Sequence, residues 1–266
     1  MEQRYFIELA FKGTAYNGWQ IQPNAQGIQQ VIEEAIAILI KEKVRVTGAG
    51  RTDTGVHASF YVAHFATATG LTGQLPESVR KLNHILPPDI AIKSIYPVGP
   101  DDHSRFSALS RTYKYYISLR KNPFRQETSY HINYRLDIAA MNNVAAELFK
   151  HSDFKSFCRS NSGVKNFNCH IMEAKWEVYD DMLIFTIKAD RFLRNMVRAI
   201  VGTILDAGTG KISAEEFMNI ILARDRRKAG TSAPANGLFI TDIEYPAEIL
   251  SQKKNFDESG FFVSGT

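Results

Sequence analysis

The pattern of apolar and polar positions predicts the same succession of strands and helices twice along the chain. In a strand, alternate side chains share one face, whereas a helix returns to the same face every three to four residues. A half-buried strand is predicted at residues 4–12 by the alternating side chains of Tyr5, Ile7, Leu9 and Phe11. Helical periodicity begins at Ile28, and a second helix opens at Pro76. Further strands of this half are predicted at residues 44–48, 56–67 and 89–97.

The second half repeats this order. Strands are predicted at residues 111–119, 172–179, 182–189 and 238–245, and the middle two form a hairpin around Asp180 and Asp181. Helices are predicted at residues 137–149, at residues 191–207 and from Ser213 onward. Asp137 caps the first of these helices, Gly208 ends the second, and Glu216 completes a capping box at the third.

With the helix from Ser213 taken as an insertion, both halves read strand-helix-strand-strand-helix-strand, which is the split βαβ arrangement in duplicate. The predicted fold class is therefore α/β (α+β), with two ferredoxin-like, RRM-like βαββαβ halves side by side and a central cleft between their sheets. We expect an N-terminal domain at residues 1–104 and a C-terminal domain at residues 105–248. The polar tail at residues 249–266 is expected to be loosely held.

Composition excludes several classes of protein. The 266 residues are 44% hydrophobic and 23% charged, as in an ordinary globular protein. No apolar run reaches the ~20 residues that a membrane helix needs. Because the N-terminus runs into a strand-like alternation without a signal-peptide layout, we expect a cytoplasmic protein. Two cysteines are too few for a disulfide framework or a four-cysteine zinc site. The net charge of +4 is only mildly basic, so the placement of arginines is more informative.

A glycine-rich stretch between two predicted strands carries a concentration of polar groups. Residues 48–58 read Gly-Ala-Gly-Arg-Thr-Asp-Thr-Gly-Val-His-Ala, and the glycines permit sharp turns and close approach to a ligand. A carboxylate on such a loop, Asp53, could act as a nucleophile or base. Equally, Asp53 could bond the neighbouring backbone or pair with Arg51, as turn residues commonly do. The local pattern leaves both interpretations open.

Aromatic and basic residues alternate in the strand at residues 111–119. Tyr113 and Tyr115 share one face and are interleaved with Arg111 and Lys114. Such faces stack bases and hold phosphates in proteins that bind single-stranded nucleic acid. Core tyrosines with solvated hydroxyls would give the same pattern.

Three arginines are spaced to share one face of the predicted helix at residues 191–207: Arg191, Arg194 and Arg198. They cluster towards its N-terminus, where the helix dipole disfavours cations, which indicates an anionic partner. An ordinary solvated helix face fits the same spacing. A basic run at residues 224–228 either complements a helix C-terminus or contacts RNA backbone.

Several motifs occur in a characteristic order. The most specific is Gly-Arg-Thr-Asp-x-Gly-Val-His-Ala, which begins at Gly50. The others are Tyr16-Asn17-Gly18-Trp19-Gln20, Arg105-Phe106-Ser107-Ala108, Tyr113-Lys114-Tyr115, Met196-Val197-Arg198 and Ala233-Pro234-Ala235-Asn236-Gly237-Leu238. With this order the chain resembles the tRNA pseudouridine synthase A family over nearly its whole length. It departs from the family at Thr54, where alanine is frequent, and at Thr112, where a second arginine is frequent.

The resemblance implies isomerisation of uridine to pseudouridine at positions 38, 39 and 40 in the tRNA anticodon stem-loop. The C1′–N1 bond is broken and the uracil is rejoined through C5, without a cofactor or a metal. Asp53 matches the family's catalytic aspartate and would attack the sugar, deprotonate it or add to the base. The sequence does not choose among these routes, nor among the three tRNA positions or the isoacceptors. The resemblance also implies a homodimer that binds tRNA, with no DNA or membrane partner.

The resemblance assigns roles to further residues. Arg198 resembles the basic partner of the aspartate, and Tyr113 resembles the tyrosine that stacks on the target base and is a candidate to help remove its C5 proton. Leu238 packs on the opposite face of the uracil, and Arg51 enters the stem as the nucleotide flips out. Three more residues are candidates for RNA contacts: His57, Arg105 and Arg194.

Three alternatives make different predictions. A non-catalytic RNA-binding protein would use the aromatic faces but gives no reason for an acid in the glycine-rich loop. A metal-dependent hydrolase using Asp53 and His57 would lose activity with a chelator. A purely structural pair of α/β domains would leave every RNA phenotype intact after Asp53→Asn.

Overall fold

The computed structural model describes residues 2–71 and 75–257, without the side chains of residues 254–257. Within this part of the chain, the strands and α-helices are, in order, β1 (Gln3–Phe11), α1 (Ile28–Ile40), β2 (Thr47–Gly48), β3 (His57–Thr67), α2 (Leu75–Ile85), β4 (Ile90–Val98), β5 (Ser110–Ser118), β6 (Tyr130–His131), α3 (Ile138–Glu147), β7 (Ile171–Tyr179), β8 (Met182–Ala189), α4 (Met196–Gly208), α5 (Ala214–Leu222), β9 (Leu238–Glu244) and α6 (Ala247–Asp257). None of the described helices combines the length and the apolar character needed to cross a membrane. The α/β (α+β) fold class is confirmed.

The chain divides into two compact units. The first comprises Met1–Leu109 and Asp242–Thr266, and the second comprises Ser110–Thr241. Residues 105–109 and 242–248, which the sequence assigned to the C-terminal domain, therefore group with the first unit. One cause is Tyr245, whose ring packs on Phe6 of β1 with centroids 5.3 Å apart.

The sheet of the first unit is built around β1. This strand pairs antiparallel with β3 on one side and with β4 on the other, and β2 pairs with β3. Helices α1 and α2 pack together, while α2 and α6 both contact β4. From β1 to β4 the order of elements is the predicted strand-helix-strand-strand-helix-strand.

β1 is buried on both faces, whereas its alternation predicted a half-buried strand. Tyr5 and Ile7 are fully buried, and so are Phe6 and all but 5% of Glu8 on the opposite face. The Glu8 carboxylate lies 2.8 Å from the Nζ atom of Lys253 in α6. The C-terminal segment thus covers the second face of β1, and no pattern within β1 could indicate a cover so distant in sequence.

The strand predicted at residues 44–48 is much shorter than expected. β2 contains only Thr47–Gly48 because both backbone groups of Val46 bond helix side chains instead of a neighbouring strand. The Val46 N–H donates to Glu33 Oε1 at 2.8 Å, and its carbonyl accepts from Gln29 Nε2 at 2.9 Å. These bonds fix the chain to α1 just before the glycine-rich loop.

The segment expected to be a loose tail is partly helical. Residues 247–257 form α6, and Ile249 near its start is only 4% exposed. The amide of Gln252 contacts Asp102 at 3.3 Å, in addition to the Lys253 ion pair described above. The remainder of the predicted tail, residues 258–266, lies outside the described residues.

The sheet of the second unit runs in the order β9, β5, β8, β7, with β9 contributing its residues 238–241 to this unit. β5, β8 and β7 pair antiparallel, and the short β6, which the sequence did not predict, pairs parallel with β5. Helix α3 packs on β7 and against α4 and α5. The stacked rings of Trp176 and Phe185, 4.8 Å apart, lie in the core.

Local capping places two of these helices as predicted, and a left-handed residue places the hairpin. The Asp137 carboxylate accepts from Ala140 N–H at the start of α3. Ser213 and Glu216 form the predicted capping box of α5. The hairpin between β7 and β8 turns at Asp180, which adopts φ +53°.

Helix α4 begins five residues later than the sequence predicted. The Asp190 carboxylate accepts from the N–H groups of His170 and Arg191, which fixes a loop rather than a helical turn. Asn195 then adopts the left-handed conformation with φ +64° immediately before α4. Arg191 and Arg194 consequently lie in this loop, and the expectation that they share a helical face with Arg198 is wrong.

Candidate active site

Asp53 lies on the loop between β2 and β3 and is half-buried. Its main-chain carbonyl accepts from Val56 N–H at 3.2 Å, which closes a four-residue turn. Gly55 occupies the third position of this turn with φ +78°, a conformation that L side chains rarely adopt. The turn is therefore made by main-chain atoms and glycine, and the Asp53 carboxylate is not needed to close it.

Residues 13–18 support this loop from one side. The Gly13 N–H donates to Nδ1 of His57 at 2.9 Å, and the Gly55 N–H donates to the Tyr16 carbonyl at 3.4 Å. Gly18 has φ +84°, and a Cβ placed there would collide with the carbonyl oxygen of Thr52. The sequence motif around Tyr16 thus serves as a rigid support for the loop, a role that sequence analysis missed.

Aromatic rings support the loop from the other side. The Tyr61 hydroxyl donates to the Gly50 carbonyl and accepts from the Gly50 N–H at 3.1 Å. Trp19 packs on Tyr61 with centroids 4.4 Å apart, and a Cβ at Gly48 would collide with the Tyr61 hydroxyl and the Trp19 ring. Together these contacts hold the backbone on both sides of Asp53, which is the preorganisation that a catalytic group requires.

His57 is a supporting residue in this structure. It is fully buried, and its Nδ1 atom accepts the Gly13 N–H. The imidazole ring therefore does not reach the surface in this structure, and a contact of His57 with RNA stays a prediction. Among the residues that the structure describes, no group of three histidine, cysteine or acidic side chains is arranged to hold a metal ion.

Arg51 is exposed two residues before Asp53, on the same loop. Its position leaves the guanidinium accessible to a large anionic partner. Thr54, the departure from the family pattern, is also exposed, whereas the hydroxyl oxygen of Thr52 is buried without a hydrogen-bond partner in the described structure.

Arg198 is fixed in the first turn of α4. Its Nε atom donates to the Ala233 carbonyl at 2.8 Å, and the Ala233 N–H donates back to the Arg198 carbonyl at 2.9 Å. The side chain is half-buried, so the remaining guanidinium nitrogens are held at a defined place beside the loop of residues 229–237.

The loop of residues 229–237 is fastened by several further bonds. Arg226 donates to the carbonyls of Ala229 and Gly230 and to the Ser232 hydroxyl, at 2.9–3.2 Å. Asn195 Nδ2 also donates to the Ser232 hydroxyl, at 2.7 Å. Sequence analysis found little in this loop because its partners are distant in sequence and mostly bond main-chain atoms. Leu238 follows the loop at the start of β9 and is 5% exposed.

The two tyrosines on one face of β5 differ in environment. Tyr115 is fully buried and donates to the Pro234 carbonyl at 2.8 Å, and burial raises the pKa of its hydroxyl. Tyr113 is half-buried, and its ring meets Phe192 edge-on at 5.0 Å. Tyr115 therefore follows the core interpretation, and Tyr113 is the more accessible of the two for a base.

The remaining basic candidates lie at the surface. Arg105 and Arg194 are exposed, in the first and second units respectively. In the run at residues 224–228, Arg227 pairs with Asp225 at 2.7 Å and lowers the pKa of that carboxyl to about 2. Arg224 pairs with Asp153 at 2.8 Å. Since Arg226 bonds the loop of residues 229–237, at least three of the cations in the run have intramolecular partners.

The candidate residues belong to different units. Arg51, Asp53, His57 and Arg105 lie in the first unit, whereas Tyr113, Arg194, Arg198 and Leu238 lie in the second. Within the second unit, Arg198 bonds Ala233 in the loop of residues 229–237, and Leu238 directly follows that loop. The joint action of Asp53 with the residues of the second unit stays a prediction.

Comparison with known proteins identifies similar chains. A family model described as tRNA pseudouridine synthase matches residues 9–107 and 144–246. The chain is 51% identical to tRNA pseudouridine synthase A of Parabacteroides distasonis, over 93% of this chain and 98% of that protein. It is 49% identical to the Bacteroides thetaiotaomicron protein of the same name, over 94% of each chain. With the Bacillus subtilis protein of that name, identity is 39% over 89% of this chain and 97% of the relative.

Proposed function

The chain belongs to the tRNA pseudouridine synthase family, and from this premise we propose that it isomerises uridines 38, 39 and 40 of the tRNA anticodon stem-loop. The family activity is the conversion of uridine to pseudouridine in tRNA, which makes the protein an isomerase. The observation that carries the finer proposal is a half-buried carboxylate, Asp53, on a loop held by main-chain bonds and aromatic rings.

Asp53 is proposed as the catalytic nucleophile or base. The reaction breaks the C1′–N1 bond and forms a C1′–C5 bond, C5 loses its proton, and N1 gains one. A carboxylate can open this sequence by attacking C1′, by deprotonating the sugar or by adding to the base. Each route needs the carboxylate at a defined distance from the nucleotide. The fixed backbone on both sides of Asp53 supports any of the three.

The second unit is proposed to bind the uracil. Tyr113 presents a half-buried aromatic ring suited to stacking on a base, and Leu238 offers an apolar side chain at the start of β9. The resemblance makes Arg198 the basic partner of Asp53, and that role stays a prediction. Its bonds to Ala233 support a fixed guanidinium of the kind that recognises anions.

Arg51 is proposed to assist base flipping. Extruding a nucleotide from a stem costs a few kcal/mol of stacking, which contacts with phosphates and bases can offset. Arg51 is exposed on the loop that carries Asp53, as this role requires. Arg105 and Arg194, also exposed, are proposed to contact the RNA backbone.

We further propose that the enzyme acts in the cytoplasm as a homodimer, the state that the resemblance implies. Sedimentation of the purified protein at several concentrations tests this directly. A dimer mass is expected across the micromolar range, and a monomer mass at every concentration would contradict the proposal.

Three transcripts test the positional part of the proposal. Each is an anticodon stem-loop with tritium at C5 of a single uridine, at position 38, 39 or 40. Purified protein with EDTA is expected to release tritium from all three, and to release none from a transcript labelled only in the acceptor stem. Release from the acceptor stem, or from none of the anticodon positions, would overturn the proposed site of action.

A further inference from the structure

Phe106 is a large apolar side chain at the surface of the first unit, where it is 75% exposed. It lies in the segment between β4 and β5, directly after Arg105. Scattered exposed apolar residues are normal and need no explanation. Phe106 differs because the backbone around it is firmly held and the groups beside its ring are cationic or aromatic.

The residues before Phe106 anchor its backbone. Ser104 is fully buried, its hydroxyl donates to the Thr47 carbonyl at 2.8 Å, and its N–H donates to Nδ1 of His64 at 3.2 Å. Nδ1 of His103 accepts from the N–H groups of both Arg105 and Phe106, at 3.0 and 3.3 Å. The phenyl ring is therefore presented to solvent by an ordered turn, and little backbone conformational entropy remains to be lost on binding.

The surroundings of the ring suit a nucleic acid. The His103 ring lies 4.4 Å from the Phe106 centroid, and the Arg105 guanidinium lies 5.4 Å from it. Burial lowers the pKa of His103, and the nearby charges of Arg4 and Arg105 lower it further, so two arginines act on this imidazole. A rigid aromatic face beside a cation is the arrangement on which unpaired bases stack while the cation meets a phosphate.

We propose that Phe106 is a stacking platform for an unpaired nucleobase of the tRNA anticodon loop, with Arg105 binding an adjacent phosphate. The inference rests on the proposed function, because it takes tRNA as the substrate. It adds a binding subsite for unpaired bases, formed by the segment between β4 and β5. Paired stem nucleotides are not recognised by this ring, because their faces are already stacked.

Binding of two RNAs tests the platform. One is the anticodon stem-loop, and the other is a blunt duplex of the same stem without unpaired nucleotides. Phe106→Ala is expected to raise the Kd for the stem-loop by about 5- to 150-fold, the usual range for removing one stacked aromatic. The Kd for the duplex should not change. The matched control is Phe124→Ala, because Phe124 is 93% exposed in the second unit.

A conservative replacement supplies a second readout. Phe106→Trp keeps a stacking ring and should retain the wild-type Kd for the stem-loop. The two natural tryptophans, Trp19 and Trp176, are at most 3% exposed, so the new indole dominates any change at the surface. Its fluorescence is expected to be quenched by the stem-loop and to be unaffected by the duplex.

Three results would overturn the platform. The first is an unchanged Kd of Phe106→Ala for the stem-loop, and the second is an equal loss of affinity for the stem-loop and the duplex. The third is a changed sedimentation coefficient of the variant, which would place the ring in a contact between protein chains. Tritium release by the wild-type protein is measured in parallel. If the wild-type protein releases tritium and Phe106→Ala keeps the wild-type Kd, the platform is rejected and the proposed function is retained. No release and no tRNA binding by the wild type rejects the proposed function itself.

Discussion

Gly18 determines how closely the supporting segment of residues 13–18 approaches the Asp53 loop. Because φ is +84° and a Cβ would collide with the Thr52 carbonyl, Gly18→Ala should displace the loop. We expect a loss of about 1–3 kcal/mol in the free energy of unfolding and about 100-fold in turnover, with tRNA affinity largely kept. Urea unfolding and tritium release measure the two effects.

The control for this prediction is Gly163→Ala. Gly163 has a similar φ of +70°, but no atom lies within 4 Å of a Cβ built there. The Gly163→Ala variant should therefore lose about 1 kcal/mol in the free energy of unfolding, because of backbone strain, and keep the wild-type turnover. Equal turnover losses in the two variants would show that the collision with the loop is unimportant.

His64 makes the stability of the first unit depend on pH. Burial, with the neighbouring charges of His103 and Arg4, lowers the pKa of His64 to about 4, and its Nδ1 atom must stay unprotonated to accept the Ser104 N–H. Between pH 6.5 and 4 the unfolded chain therefore binds more protons than the folded one. Stability is retained above pH 6.5 and falls as the pH drops, by up to about 3 kcal/mol.

His64→Asn tests this dependence, because the amide offers an acceptor that does not titrate. Urea unfolding from pH 7 to pH 4 should show a steeper loss of stability in the wild type than in the variant. Part of the slope will remain in both, because the pKa of His103 is also lowered. The account would be contradicted by parallel pH profiles.

The catalytic candidate could be predicted from sequence at the residue scale, but most of its support could not. Asp53 was identified because its motif is contiguous and specific. His57 belongs to the same motif, yet its burial depends on a bond to the main chain of Gly13, which no residue pattern encodes. The same applies to Arg226, whose partners are mainly carbonyl oxygens that any residue could supply.

Among the elements, α6 is fastened to the first sheet by a buried ion pair. Glu8 is 5% exposed and also contacts the hydroxyls of Ser94 and Tyr96. Lys253→Met would remove the ammonium partner of this carboxylate. In comparable buried pairs such a change lowers the free energy of unfolding by about 3–5 kcal/mol. Denaturant unfolding measures the loss.

A double variant separates the ion pair from general packing. Glu8→Gln combined with Lys253→Met should recover much of the stability lost in Lys253→Met alone, since no buried charge remains. The control is Lys211→Met, which breaks a mostly exposed pair with Asp206 and should cost less than about 1 kcal/mol. No recovery in the double variant would argue against a charge effect at Glu8.

The loop before β9 depends on the forked guanidinium of Arg226. A lysine cannot donate to three separate acceptors in this geometry, so Arg226→Lys should loosen the segment that positions Leu238. We expect turnover to fall about 10- to 100-fold with little change in tRNA affinity. Arg227→Lys is the control, because the Arg227 side chain is 88% exposed and pairs only locally with Asp225. Equal effects of the two changes would contradict the assignment.

Sequence patterns predicted elements best where short-range chemistry defines their ends. The capping side chains of α3 and α5 accept from N–H groups only three residues further along the chain, and both helices begin as predicted. The predicted start of α4 was wrong because the apolar periodicity extends towards the N-terminus, into residues that Asp190 and the left-handed Asn195 hold in a loop. The length of β2 was overestimated because side chains of α1 form hydrogen bonds with the backbone groups of Val46.

At the scale of the whole molecule, the order of elements was predictable but the grouping of the C-terminus was not. Residues 242–257 belong to the first unit, with Tyr245 packed on Phe6 and Lys253 paired with Glu8. These are single contacts within a polar segment, and they produce no periodic signal. The motif order along the chain was sufficient for the family, since each motif is short and contiguous.

The central claim is that Asp53 performs the chemistry while other groups bind the RNA. The most direct measurement is tritium release from a C5-labelled anticodon stem-loop by wild type, Asp53→Asn and Thr54→Ala, each with its Kd for the same RNA. Asp53→Asn should release no tritium at a near wild-type Kd, because phosphate contacts supply most of the affinity and main-chain atoms close the turn. Thr54→Ala, an exposed neighbour on that turn, should behave as wild type. Undiminished release by Asp53→Asn, or parallel loss of release and binding, would contradict the account.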